Sequence, residues 1–154
     1  MNIKLTRDAR LIAGLCKPVQ ELHRKLYPKY FKPFVSETVR SWFQNVIDSD
    51  EDSFFFVIEE ERETVGYAWI QKATHQKNPF RNGFTSIEVN QISIIPGKQH
   101  KGYGTALMQH ILQFAKDQGI DEVNLDYWTG NQKAADFYQK QGFEIYRNFV
   151  HKLL

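Results

Sequence analysis

One segment concentrates chemical potential: Pro96 to Thr105 (PGKQHKGYGT). Glycines at 102 and 104 relieve the steric limits on the backbone and let it approach a ligand closely. A helix predicted to start at Tyr103 would leave the amides of its first turn without acceptors, aimed outward as anion donors. Lys98, His100 and Lys101 add positive potential, so a phosphate or pyrophosphate is the natural guest. A glycine-rich turn with no ligand is the alternative from spacing alone. Two familiar phosphate loops are excluded. A P-loop needs Lys-Ser/Thr after its second glycine, whereas Gly102 is followed by Tyr103 and Gly104. A dinucleotide fingerprint needs a third small residue where Leu107 stands.

The elements that must position this loop follow from hydrophobic periodicity. Ile3 and Leu5 alternate into a short strand. Asp8 caps a helix through Leu11, Ile12, Leu15, Val19, Leu22 and Leu26, which Pro18 is expected to kink or split. Tyr27 to Phe34 is an aromatic loop bounded by prolines, and Ser36 is placed as the cap of a second helix. Phe54–Ile58 and Val65–Ile70 form a hairpin around a charged turn (EEERET), followed by a basic loop from Thr74 to Gly83. In Ile87–Ile95 the alternation slips between Val89 and Ile92. A β-bulge near Asn90 or Gln91 would restore both apolar pairs to one face, and a strand buried on both faces would read the same way. Helix Tyr103–Gln118, strand Val123–Trp128, a helix opened by Asn131 and stopped by Gly142, and a final strand region Phe143–Leu153 complete a mixed α/β order, β-α-α-β-β-β-α-β-α-β.

Bulk properties narrow the function. The chain has 154 residues, favouring one domain over residues 1–154, and its single cysteine excludes a disulfide scaffold. Residues 1–77 carry 12 Lys/Arg against 11 Asp/Glu and residues 78–154 carry 8 against 7, so no basic stripe marks a nucleic-acid binder. An acidic run, Asp48 to Glu63, reads as a solvated turn and strand edge rather than a cation-attracting rim. The early charges do not make a signal peptide, and no apolar run approaches the roughly 20 residues of a membrane span, so a soluble cytoplasmic protein is expected. Cys16 reads as core, the histidines lack metal-ligand spacing, and no Gly-x-Ser-x-Gly elbow is present.

Gln99-x-x-Gly102-x-Gly104 resembles the (Arg/Gln)-x-x-Gly-x-(Gly/Ala) acetyl-coenzyme A signature of the GNAT superfamily of N-acetyltransferases. Asn131-x-x-Ala134-x-x-Phe137-Tyr138-x-x-x-Gly142-Phe143 resembles that family's second signature, and the resemblance covers residues 86–147. It implies a mostly antiparallel sheet of about six or seven strands flanked by four helices, in which the bulged strand and the parallel strand after it splay into a cleft. Acetyl-coenzyme A would be the cosubstrate, with no metal, and an amine the acceptor. The cofactor set implied is Ile92, Ile94, Gln99, His100, Lys101, Gly102, Tyr103, Gly104, Thr105, Asn131 and Tyr138. Glu88 takes the place of the general base, the Ile92 amide that of the oxyanion donor, and Tyr138 that of the acid for the departing thiolate. Tyr30, Phe31, Phe34 and Phe84 would line the acceptor side, where the aromatic loop suits an apolar or cationic acceptor while His75, Lys77 and Arg81, in the loop before the bulged strand, suit one bearing a carboxylate. The short stretch after Phe143 implies one long last strand or a sheet edge completed by a second subunit, hence a monomer or homodimer. A binding module that senses the cofactor without turnover, or an interaction protein using the aromatic loop, are the competing classes.

Overall fold

The computed structural model describes residues 1–154. Its elements are β1 (Asn2–Leu5), α1 (Ala9–Leu26), α2 (Ser36–Ser49), β2 (Ser53–Glu60), β3 (Glu63–His75), β4 (Phe84–Ile94), α3 (Tyr103–Asp117), β5 (Val123–Asn124) and α4 (Gln132–Lys140). The strands form one five-stranded sheet in the order β1-β2-β3-β4-β5. All neighbours are antiparallel except β4 and β5.

Local chemistry explains most boundaries. Asp8 caps α1 by accepting from the Leu11 amide at 3.0 Å. The helix runs unbroken through Pro18 rather than splitting there. Pro18 has no N–H, so the Gly14 carbonyl loses its helical donor. Ser36 is the first residue of α2 instead of its cap, because Val35 holds the extended cap position and no side chain bonds the first turn. The β2–β3 turn is tighter than EEERET suggests. Glu61 and Arg62 both adopt positive φ (50° and 68°), so two residues close the hairpin and Glu60 pairs directly with Glu63. The acidic run is partly neutralised within the chain: Glu59 meets Lys4 at 2.8 Å, Glu60 the N-terminal amine at 2.9 Å, and Glu63 the Lys98 ammonium.

Two cores sandwich the sheet. Ile70, Ile87, Val89, Leu107 and Ile111 pack between the sheet and α3. Ile12, Phe43, Phe55, Val57 and Tyr67 pack between the opposite face and α1–α2, where Phe43, Phe55, Trp42 and Trp69 make edge and stacked contacts.

The bulge falls on Asn90. Ile70 pairs with Val89 and Trp69 with Gln91, leaving Asn90 unmatched. The extra residue returns Ile92 and Ile94 to the face of Ile87 and Val89, and all four pack against the α3 core.

Two expectations are corrected. The parallel strand expected over Val123–Trp128 pairs only at Val123 and Asn124. The final strand expected over Phe143–Leu153 does not form, so the sheet has five strands rather than six or seven. Phe149 in that stretch is fully exposed, and its backbone is bonded to no strand of the chain.

Candidate active site

The short β5 pairing opens the sheet. β4 meets β5 at Ile87↔Val123 and Glu88↔Asn124, then continues to Ile94 without a partner on that side. The bulge decides which amides face the gap. The Ile87 amide donates toward β5, to the Glu122 carbonyl at 3.0 Å, whereas the Ile95 amide donates the other way, to Val65 on β3 at 2.9 Å. Alternation then turns the Ser93 and Gln91 amides to β3 and the Ile92 and Ile94 amides to the open edge. A regular strand would have sent them into the ladder. The cleft therefore has two unpaired donors along one wall.

The loop from Gln99 to Thr105 continues this theme. Its strand-to-helix course needs left-handed backbone at Gly97 (φ 83°), His100 (φ 63°) and Gly102 (φ 86°), the residue before α3. The first backbone bond of α3 is Ala106 N–H to Gly102 O, at 2.9 Å. None of the amides from Gln99 to Thr105 has an acceptor within the chain. Such a row of bare N–H groups ahead of a helix N-terminus makes an anion-binding concavity.

Side chains in the loop divide into scaffolding and free groups. Lys98 is tied to Glu63 and Gln99 donates back to the Ile94 carbonyl at 3.3 Å, so these two brace the loop. Bonding to Glu63 raises the Lys98 ammonium above its ordinary range. His100 and Lys101 are exposed and bound to nothing. Tyr103 is buried in the α3 core. Thr105 Oγ1 accepts from Gln141 at 3.1 Å, linking the loop to the end of α4. The two glycines differ. A Cβ on Gly102 would meet open space, so the positive φ dictates glycine there. A Cβ on Gly104 would come within 3.3 Å of the Phe137 ring, so its smallness also serves the approach of α4.

Tyr138 stands on α4, 9% exposed, ringed by Tyr127, Phe137 and Phe143. Burial, with a smaller contribution from the Asp126 carboxylate, pushes its phenol up to about 12. It thus stays protonated as a hydrogen-bond donor, and no group of the chain accepts from it. Asn131 caps α4, its side chain accepting from the Ala134 amide at 3.2 Å. That bond commits the Asn131 side-chain oxygen to fixing the turn into α4.

Glu88 lies on the other face of β4, opposite Gln71 on β3 and Asn124 on β5. One carboxylate oxygen accepts from Ser86 Oγ at 2.7 Å and Asn124 Nδ2 at 3.3 Å, and lies 3.6 Å from His75 Nε2. Ser86 is fully buried, and His75 stacks on Phe84 at 4.2 Å. The same face carries an aromatic wall. Tyr27, Tyr30 and Phe31 surround Trp128 at centroid distances of 4.5, 5.5 and 5.2 Å, and the Tyr27 hydroxyl accepts from the Gly130 amide at 2.7 Å. Phe34 stands apart from this wall, in a surface hollow with Arg24, Lys25 and Pro28.

Trp128 is the site residue that motif reasoning does not supply. Trp128 looks like the end of a strand, and only the α1–α2 loop folding over the sheet makes it a wall. His75, expected beside Lys77 and Arg81 in a loop facing the acceptor, is instead the last residue of β3 and lies beside Glu88. No group of three or more His, Cys, Asp or Glu residues is placed to hold a metal ion, and no helix is long and apolar enough to cross a membrane.

Comparison with known proteins agrees with this geometry. Residues 18–143 match the family described as Acetyltransferase (GNAT) family. An uncharacterized N-acetyltransferase of Methanocaldococcus jannaschii is 30% identical over 133 residues, covering 80% of this chain and 54% of that protein. A mycothiol acetyltransferase of Saccharomonospora viridis is 33% identical over 105 residues, covering 68% of this chain and 32% of the relative. The chain thus spans about half or a third of the length of these relatives. Among solved structures, the tetramutant of the BH1408 protein from Bacillus halodurans superposes with a TM-score of 0.92 at 22% identity, over 100% of both chains. A predicted acetyltransferase from Clostridium acetobutylicum, solved with acetyl-CoA, superposes with a TM-score of 0.70 at 15% identity, over 99% of this chain and 95% of that one.

Proposed function

The chain belongs to the acetyltransferase (GNAT) family, and from that premise we propose that residues 1–154 form one domain that moves an acetyl group from acetyl-coenzyme A to a primary amine. The observation that carries this reading is the continuous run of unpaired amides, from Ile92 and Ile94 on the open edge to Gln99–Thr105 ahead of α3. The loop amides would hold the pyrophosphate, with His100 and Lys101 adding charge. The Ile94 and Ile92 amides would pair with the pantetheine arm and the thioester oxygen. Acetyl-coenzyme A supplies an activated thioester carbonyl when bound.

The remaining steps fall to this chain's side chains. A lysine-like amine is an ammonium below a pH of about 10.4 and must lose a proton before it attacks. Glu88, on the face that carries the aromatic wall, takes that proton directly or through water. Ser86 and Asn124 fix its carboxylate, and His75 stands next in line for the charge. Tyr27, Tyr30, Phe31 and Trp128 suit an acceptor that arrives as a cation, because aromatic faces attract positive charge. The Ile92 amide is already oriented for the oxygen that gains charge on attack, so no reorganisation is needed then. Tyr138 donates to the departing sulfur. With its phenol near 12 and thiols near about 8.5, complete proton transfer to the thiolate is uphill. Its main contribution is therefore a hydrogen bond that stabilises the leaving group, the proton coming finally from solvent.

The test is thiol release from acetyl-coenzyme A with a panel of amines. Turnover with at least one amine, abolished on replacing coenzyme A's phosphates by a truncated pantetheine donor, supports the reading. Tight cofactor binding with no turnover on any amine would instead favour a sensing module.

A further inference from the structure

Tyr67, on β3, is fully buried among Ile12, Phe43, Phe55 and Val57, where a phenylalanine would fill the same space. Its hydroxyl is nevertheless used: it donates to Gln91 Oε1 on β4, one residue past the bulge. Burial holds the Tyr67 phenol well above its ordinary range, so it stays a donor. Cys16 of α1, also buried, borders the pair. Trp69 and Gln71, the next residues along this face of β3, bond away from β4, to Ser53 at 3.1 Å and to Asp50 at 2.8 Å. The Tyr67–Gln91 bond is thus the one side-chain hydrogen bond that reaches the bulge.

This bond discriminates between registers. Ile87 and Val89 lie on the α3 face, and the extra residue Asn90 puts Gln91 on the opposite face, within reach of Tyr67. Were the extra residue placed later in the strand, Gln91 would follow Val89 onto the α3 face. Its amide would then enter an apolar core and the Tyr67 hydroxyl would lose its acceptor, leaving two polar groups buried without partners. We infer that Tyr67 and Gln91 are positioning residues: their bond holds the extra residue at Asn90 and so keeps the Ile92 amide turned into the cleft. The inference rests on the acetyl-transfer reading, in which that amide meets the oxygen that gains charge. An oxyanion donor acts without reorganisation only if its direction is set beforehand. Here the direction is set from within the α1–α2 core, by a polar pair that selects one register over another.

Hydrogen exchange of single amides by NMR in the ligand-free protein, paired with steady-state kinetics, tests this. In the native chain the Gln91 and Ser93 amides, laddered to β3, should exchange slowly and the Ile92 amide fast. Tyr67→Phe combined with Gln91→Leu removes both polar partners together, so neither is left unsatisfied and the core loses little. In that double variant the contrast in exchange between positions 91 and 92 should shrink about 10-fold or more, while the β1 and β2 amides keep their protection. Its kcat should fall about 10-fold or more, short of the roughly 100–1,000-fold that deleting an oxyanion donor costs, with KM for acetyl-coenzyme A near its native value. Tyr67→Phe alone, which removes one oxygen, should shift both readouts the same way by less, and it serves if the double variant misfolds. An unchanged contrast between 91 and 92, a changed contrast with native kcat, or a loss of kcat matched by uniform loss of protection would each overturn the inference. If the native chain turns over no amine, the acetyl-transfer reading fails, and the exchange contrast still decides whether the pair holds the bulge.

Discussion

The two halves of the sheet use their backbone in opposite ways. From β1 to β3 every strand is laddered along its length and clamped by aromatic packing of Phe43, Phe55 and Trp69. Beyond β4 the ladder fails: β5 pairs twice, the amides from Gln99 to Thr105 stand bare, and the C-terminal tail bonds nothing. Buried polar groups without partners are costly, so a fold keeps them only where they stay wet or await a ligand. The first half supplies stability, and the second spends it on recognition.

The largest effect that would separate the halves is on stability. Phe55→Ala, in the clamped half, should destabilise the chain by about 3–5 kcal/mol in denaturant titration. Acetyl-coenzyme A affinity of the folded fraction should not change. A comparable loss of affinity would mean that the halves are not independent.

In the open half, Tyr138→Phe should lower kcat by about 100-fold or more while KM for acetyl-coenzyme A stays near its native value. A normal rate would remove the hydroxyl from the reaction. The same variant has a stability signature. The native phenol, held near 12, contributes stability that is complete below the unfolded value of 10.0 and is lost as pH rises from there toward 12. Denaturation midpoints of Tyr138→Phe should therefore fall less steeply across that window.

Glu88→Gln keeps a hydrogen-bond acceptor for Ser86 and Asn124 but cannot take a proton. The acidic limb of the kcat/KM profile should disappear and the rate fall by about 10–100-fold. An unchanged profile would point to another base, and His75 is then the first to test.

The smallest effect concerns the glycines. Gly102→Ala should cost about 1 kcal/mol through its positive φ, with no clash. Gly104→Ala should act instead by displacing Phe137, and therefore perturb kcat through Tyr138 more than cofactor affinity. Binding calorimetry and steady-state kinetics on the pair distinguish the two mechanisms.

Local features were legible in the sequence where local chemistry decides. The slip between Val89 and Ile92 located the bulge, Asp8 its helix, and the glycine spacing the bare loop. Ser36 failed as a cap because Val35 already held the extended position, which a one-residue shift in helix start hides. The tail failed because Phe143–Leu153 has strand-like composition, yet a strand exists only where another edge receives it. Trp128 was hidden for a related reason: it acquires its role from a segment distant in sequence, the α1–α2 loop.

The central claim is that bare amides on β4 and ahead of α3 bind the coenzyme. Backbone amide NMR during titration with coenzyme A tests it most directly. The account predicts large shifts and slowed exchange at Ile92, Ile94 and Gln99–Thr105, with β1 to β3 unmoved; saturating coenzyme A that leaves those amides unchanged would contradict it.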